Sequence, residues 1–233
     1  MHPFAEGLLT LNQAVIFDLD GTLVETEQVW RDVRRDFVLS HGGRWTDGAA
    51  ATMIGMRTNE WADYIHRALG VSLAPQDIAA AVLANVVDRL QRRVPILPGA
   101  HAALERMHGA FPLGLATSAA VPVATTVLAS AGWSKFFEVV VSADEVSRGK
   151  PAPDVYLRAL ELMRVSAKTT AAIEDSANGI RAADAAHLAV VAIPNRDFAP
   201  DAGALALAAR VLPDLDALDP AVVYQLLKAK RQW

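Results

Sequence analysis

Two aspartates stand one residue apart behind an apolar run, in Ala14-Val-Ile-Phe-Asp18-Leu-Asp20-Gly21-Thr22. Three more polar sites lie far downstream: Thr117-Ser118, Lys150 within Ser-Arg-Gly-Lys-Pro-Ala-Pro-Asp, and Glu174-Asp175-Ser176. Gathered in space, they would supply carboxylates, hydroxyls and a single ammonium. Carboxylates so crowded repel one another, and some would take up a proton unless a cation neutralised them. A hard divalent ion, Mg²⁺ first among them, meets that need with oxygen ligands from a few carboxylates, water and a substrate phosphate. The expected site is therefore one in which a divalent cation and a phosphate group balance the gathered carboxylates.

Such gathering requires elements that end at a common rim. Short apolar runs read as buried strands at Ala14–Phe17, Leu113–Ala116, Val139–Val141, Ala171–Ile173 and Val190–Ile193, with a weaker one near Arg210–Leu212. Helical patterns such as ATTVLASAG and PDVYLRALELM separate them. That alternation predicts βαβ units, a Rossmann-like doubly wound parallel α/β sheet with helices on both faces. Ligands of such sheets bind beyond the carboxyl ends of the strands, and all four polar sites fall at or just past predicted strand ends. The rhythm breaks after the first strand. Residues 25–94 show helical patterns and no convincing strand, which predicts an inserted all-α domain, with 1–24 and 95–233 forming the core. The tract Ala202–Ala209 reads as a helix.

Composition sets outer bounds. The 233 residues are 52% hydrophobic and 21% charged, with 22 basic and 26 acidic side chains and a net charge of -4. These are the values of an ordinary globular protein, with no sign of a nucleic-acid or polybasic membrane surface. There is no cysteine, which removes disulfides, thiolate metal sites and a cysteine nucleophile, and suits a cytoplasmic protein. The stretch MHPFAEGLLTLNQ lacks a cationic segment followed by a long apolar run, so neither a signal peptide nor a membrane span is expected.

At this point the chain resembles the haloacid dehalogenase-like superfamily. The resemblance rests on DLDGTL at Asp18–Leu23, TS at Thr117–Ser118, GKPAPD at Gly149–Asp154 and EDSANGIRAA at Glu174–Ala183, in the family's order. The helical insertion after the first motif looks like the cap of the subfamily of β-phosphoglucomutase and small sugar-phosphate phosphatases. The resemblance implies Asp18 as nucleophile and Asp20 as general acid, then general base. It also implies a Mg²⁺ site made by Asp18, Asp20 through its backbone carbonyl, Asp175 and Glu174, the last as ligand or as an outer-shell acid. Gly21, Thr117, Ser118 and Lys150 would hold the phosphate, and Gly179 would let the following helix approach.

Asp20 narrows the chemistry further. Halide-displacing relatives lack this second aspartate, and carbon–phosphorus-cleaving relatives use a cap lysine, whereas no lysine occurs between Val24 and Val94. A phosphate ester is the implied substrate, as a small phosphorylated metabolite. A mutase of the β-phosphoglucomutase type remains the alternative. It commonly carries a small polar and then a basic residue where this chain has Ala119 and Ala120, so hydrolysis is favoured. A non-catalytic binding protein on the same scaffold would be expected to have lost one of Asp18, Asp20, Lys150 or Asp175, and all are present. Arg57, in GMRTNEW, fits either a substrate-anion contact or a helix salt bridge. Glu27 at the hinge is poised between facing substrate and facing solvent. Trp30, Trp45 and Trp61 read as core packing, with a substrate wall as the second reading. Glu25 replaces a usual aspartate. His187 replaces a usual glycine and reads as packing. The scattered histidines show no ligand spacing.

Overall fold

A computed structural model describes residues 13–54, 56–195 and 199–230 of the chain. The N-terminal stretch read for a signal, and Gly55 at the head of GMRTNEW, lie outside them. Six parallel strands form one sheet: β1 (Ala14–Phe17), β2 (Leu113–Thr117), β3 (Phe137–Ser142), β4 (Thr170–Glu174), β5 (Ala189–Ala192) and β6 (Arg210–Val211). Their spatial order is β3-β2-β1-β4-β5-β6. β1 therefore lies between β2 and β4, and the winding reverses there, which opens a crevice at the strand ends. Asp18 and Asp20 follow β1, Ser118 follows β2, and Glu174 and Asp175 close β4, so the polar residues predicted to meet all border the crevice.

The strands are apolar on both faces because both faces are covered. Val15 and Phe17 pack on one side with Leu104, Val123 and Leu227, which belong to α5 (Ala100–His108), α6 (Val121–Ser130) and α10 (Pro220–Lys230). Ala14 and Ile16 pack on the other with Tyr156 and Ile180, from α7 (Asp154–Met163) and α8 (Ala177–Ala185). Phe17 also meets Phe137 edge to face at 6.4 Å.

Between β1 and α5 the chain forms α1 (Glu27–Ser40), α2 (Ala49–Met53), α3 (Thr58–Arg67) and α4 (Pro75–Arg92), with no strand among the described residues. The segments that enter and leave this insertion run side by side. Glu25 N–H donates to the Pro95 carbonyl at 2.9 Å, and Leu97 N–H to the Leu23 carbonyl at 3.0 Å. α1 is amphipathic, burying Trp30, Val33, Arg34, Phe37 and Val38 at helical spacing. None of the described helices is long and apolar enough to cross a membrane.

Three expectations shift. The helix predicted over the alanine-rich tract shrinks to α9 (Ala202–Leu205), and β6 is a short exposed strand. β3 runs two residues earlier than its apolar core suggested, because the edge of the sheet tolerates the half-exposed Phe137 and exposed Glu138. His187 is exposed rather than buried, and holds φ 60°, the left-handed turn from α8 into β5 in which glycine is at ease.

The burial of Phe17 positions the strand that carries both aspartates. Phe17→Ala is expected to cost about 3–5 kcal/mol and to lower Tm by roughly 10 °C. A thermal melt that leaves Tm within a degree of the parent would show that this ring does not anchor β1.

Candidate active site

The backbone places Asp18 first. Its N–H donates to the Ile173 carbonyl at 3.0 Å, continuing the β1–β4 ladder one residue beyond the strand. The chain then turns tightly, with Gly21 N–H donating to the Val24 carbonyl at 2.7 Å and Leu23 N–H to the Leu19 carbonyl at 2.8 Å. Gly21 holds φ 87°, and a Cβ there would overlap the Asp175 carboxylate. This turn brings Asp20 back over the same rim as Asp18. Gly179 serves the β4 side in the same way: a Cβ would collide with the Glu174 carboxylate, so α8 starts against the acids only because a glycine stands there.

Lys150 ties the groups together. Its ammonium donates to Asp18 Oδ1 at 2.5 Å, to Glu174 Oε1 at 2.6 Å and to the Ala116 carbonyl at 3.1 Å. Both Glu174 oxygens are occupied. Oε1 also accepts from the Tyr156 hydroxyl at 2.7 Å, and Oε2 from Asp175 N–H, Ser176 N–H and the Ser176 hydroxyl. Asp175 accepts from the Thr22 hydroxyl at 3.2 Å, and Asp20 from the hydroxyl of Thr26. Asp18, Glu174 and Asp175 are buried and each offers a carboxylate oxygen within 4.8 Å of the others.

The electrostatics follow from one cation facing several acids. Burial, with the charges of Glu174 and Asp20 added, pushes Asp18 up to about 7 against the pull of Lys150. Burial pushes Asp20 up to about 6, opposed by the Thr26 hydroxyl. Asp175 is raised well above the usual carboxylate range, first by burial and then by Asp18 and Glu174. Burial acts to lower the Lys150 ammonium, but Asp18 and Glu174 outweigh it and hold the group protonated. The donor set is all oxygen and short of positive charge, which suits a hard divalent cation. Glu174 is already saturated by protein donors, so Asp18 and Asp175 are the carboxylates that keep lone pairs for such an ion.

The other predicted residues divide. Ser118 lines the cleft together with Asp18, Asp20, Gly21, Lys150 and Asp175. Thr117 is fully buried, and its hydroxyl accepts from Ala119 N–H at 3.0 Å; it shapes the turn that presents Ser118. Arg57 reaches from α3 to the core, where its guanidinium donates to the carbonyls of Ser147 at 3.1 Å and Val146 at 3.4 Å. It borders the part of the cleft formed by Ser118, Gly149 and Lys150, and the helix salt bridge of its other reading is not among the described ion pairs. Glu27 faces the cleft, as does Glu25, which accepts from Asn195 at 3.0 Å. Trp30 and Trp61 are both core and wall: each is buried, and each lines the cleft. Tyr156 and Arg34 were not foreseen. Tyr156 sits inside PDVYLRALELM as an ordinary amphipathic-helix residue, with no sequence cue that its hydroxyl meets Glu174. Arg34 does carry a cue, since it falls on the apolar stripe of α1 between Trp30 and Phe37.

The raised carboxylates make a stability prediction for the metal-free protein. Between about pH 4 and pH 7 the folded chain keeps protons on these acids that the unfolded chain, near 3.8, releases. The native state then binds more protons, so stability falls as pH rises through that window, by on the order of a few kcal/mol. The exposed pairs Arg148–Asp154 and Arg181–Asp201, whose carboxyls are lowered by their arginines, act only below it. Urea melts in chelator at pH 5 and pH 7.5 measure the difference; higher stability at pH 7.5 would contradict the burial argument.

Comparison with known proteins places this geometry. Residues 13–187 match the family model described as haloacid dehalogenase-like hydrolase. The chain is 29% identical over 194 residues to the bifunctional riboflavin kinase/FMN phosphatase of Arabidopsis thaliana, covering 82% of this chain and 51% of that one, so it spans about half the plant protein's length. It is 31% identical over 177 residues to the fructose-1-phosphate phosphatase YqaB of Escherichia coli (strain K12), covering 76% of this chain and 94% of that one. Among solved structures, CbbY from Rhodobacter sphaeroides in complex with phosphate superposes with a TM-score of 0.79 at 26% identity, covering 89% and 96% of the two chains. The match over most of the chain, on top of the crevice the strands form, shows that this protein belongs to the haloacid dehalogenase-like hydrolase family.

Proposed function

We propose that the chain is a Mg²⁺-dependent phosphatase that hydrolyses a small phosphate monoester, a sugar phosphate by preference, through an aspartyl-phosphate. The observation that carries this reading is the buried cluster in which Lys150 bridges Asp18 and Glu174 beside Asp175, with Asp20 on the next turn of the same rim. The phosphatases named among the relatives support it.

Asp18 attacks phosphorus with a carboxylate oxygen. The ester oxygen leaves as the Asp20 carboxyl gives it a proton, which the raised affinity of Asp20 keeps available near neutral pH. A water molecule then attacks the phosphorus of the aspartyl-phosphate while Asp20 takes its proton, which frees Asp18 and inorganic phosphate. Lys150 and Ser118 line the same cleft and would donate to the transferred oxygens, Lys150 balancing their charge. Thr26 holds the Asp20 carboxyl in place. Asp18, Asp175 and the Asp20 carbonyl would hold Mg²⁺, with Glu174 fixing Lys150 behind them; the ion supplies the positive charge that keeps Asp18 ionised and offsets repulsion from the phosphate. The helical insertion acts as the cap, and Trp30, Met53, Met56 and Trp61 keep bulk water from the cleft.

Hydrolysis is favoured over transfer to a second sugar hydroxyl by Ala119 and Ala120, which line the cleft with methyl groups where a mutase would want donors. The test is release of inorganic phosphate from p-nitrophenyl phosphate and a panel of sugar phosphates. Turnover is expected with Mg²⁺ and none with excess chelator. Asp20→Asn should lose roughly 10²–10⁴ in kcat, and Asp18→Asn should be inert. Normal turnover by the Asp18 variant, or isomerisation of glucose 1-phosphate without phosphate release, would overturn the hydrolytic reading.

A further inference from the structure

Among the described residues, the mechanism leaves one buried cation unused. Arg34 is 7% exposed on the inner face of α1 and lines the same cleft as Asp18, Asp20 and Lys150. Its guanidinium carbon lies 4.5 Å from the Trp30 ring centroid and 4.9 Å from that of Trp61, and these two rings meet edge to face at 6.0 Å. Its Nε is buried with no hydrogen-bond partner, and no carboxylate among the described residues reaches it as an ion pair. Stacking on indoles recovers only part of what a buried ion loses on leaving water. The planar guanidinium, held by two rings, has its donors preset for an anion that can accept two of them at once.

Resting on the phosphatase reading above, we propose that Arg34 is a substrate-binding residue that reads a second anionic group, a carboxylate or a phosphate, at the end of the substrate remote from the phosphate being cleaved. Three features support this. Arg34 lines the cleft while its guanidinium stacks on Trp30 and Trp61. It belongs to the insertion, so it meets substrate opposite the catalytic rim. Ala119 and Ala120 contribute no side-chain donor on the core side, and Arg34 stands on the opposing wall. Glu27 stands on the same face of α1 and in the same cleft. It is the nearest compensating charge, and burial raises its carboxyl, with Asp20 and Glu25 adding to the rise against Arg34. An incoming anion would therefore compete with a carboxylate that is itself poorly stabilised as an ion.

Matched substrate pairs test this. Glycerol 3-phosphate against 3-phosphoglycerate isolates a carboxylate, and fructose 1-phosphate against fructose 1,6-bisphosphate isolates a phosphate. The parent is expected to prefer the doubly charged member of at least one pair in kcat/KM, through KM, and the pair that shows the preference identifies the anion. Arg34→Gln should cut that ratio roughly 10–100-fold. Arg34→Lys, with charge but no fork, should fall between, and Glu27→Gln should raise the ratio. No preference by the parent in either pair overturns the proposal, and so does an equal loss on both members in Arg34→Gln. The parent ratio decides even if that variant does not fold. Calorimetric binding of 3-phosphoglycerate and fructose 1,6-bisphosphate to Asp18→Asn protein, with and without Arg34→Gln, needs no turnover. If the parent protein releases phosphate from none of the esters, binding that depends on Arg34 would sink the phosphatase reading and leave the anion site standing; binding indifferent to Arg34 would sink the site alone.

Discussion

One shortage of positive charge governs this molecule. Lys150 is buried with its ammonium within 2.6 Å of both Asp18 and Glu174, while Asp175 and Asp20 crowd the same rim without a cation of their own. Desolvated like charges at this spacing are costly unless they are protonated or neutralised. The lysine satisfies one of them fully, because Glu174 is also gripped by Tyr156 and Ser176. It leaves Asp18 and Asp175 with acceptor capacity pointing into an open cleft. A site built this way is unstable as an isolated set of carboxylates and becomes balanced when a hard cation and a phosphate arrive together. The destabilised ground state and the proposed chemistry are two consequences of the same arrangement.

The rest of the fold can be understood as what it takes to hold that shortage in place. Parallel strands deliver all their carboxyl ends to one edge, and the reversal of winding beside β1 opens space there. Two glycines then set how closely the acids approach. Gly21 lets the β1 turn fold down against Asp175, and Gly179 lets the first turn of α8 close on Glu174. α8 contributes further through its N-terminus, whose free N–H groups favour negative charge, with Ser176 capping it by accepting from Gly179 N–H at 3.0 Å. The insertion is joined to the core by two adjacent stretches of chain that hydrogen-bond to each other, and Arg57 and Thr58 reach from it to the segment beyond β3.

What could be read from residues alone follows the range of the interactions. β1, β2, β4 and β5 are continuous apolar runs because they are buried on both faces, and their ends could be placed to within a residue or two. β6 and α9 were less distinct because the edge of a sheet lacks the burial that writes such a pattern. The gathering of the acidic rim was readable because charged and hydroxyl residues stand directly after apolar strands. Tyr156 was not: a tyrosine facing a core looks the same in sequence whether or not its hydroxyl ends on a buried glutamate. Thr117 shows a further limit, since nothing in the sequence says that its hydroxyl accepts from Ala119 N–H and so fixes the turn. His187 looked like packing because sequence gives no φ, and only the left-handed turn at that point explains why glycine would be usual there.

Arg34 marks where catalytic and selective information part company. On the proposed reading the rim performs the same steps on any phosphate ester, so its residues answer to the phosphate and to the cation. The opposing wall answers to whatever else the substrate carries, and its residues lie on helices, where a charged side chain at an apolar position is the sole sign of a directed contact. On α1 the run Val33-Arg34-Arg35 offers two arginines, and periodicity alone assigns the first to the inner stripe with Trp30 and Phe37 and the second to solvent, where it meets Asp36. A buried guanidinium between two indoles is costly to maintain if it serves only packing, since an apolar side chain of similar volume would fill the space without the loss of hydration. On the proposed reading, its presence in the wall of the cleft is accounted for by an anion that comes with the substrate and leaves with the product.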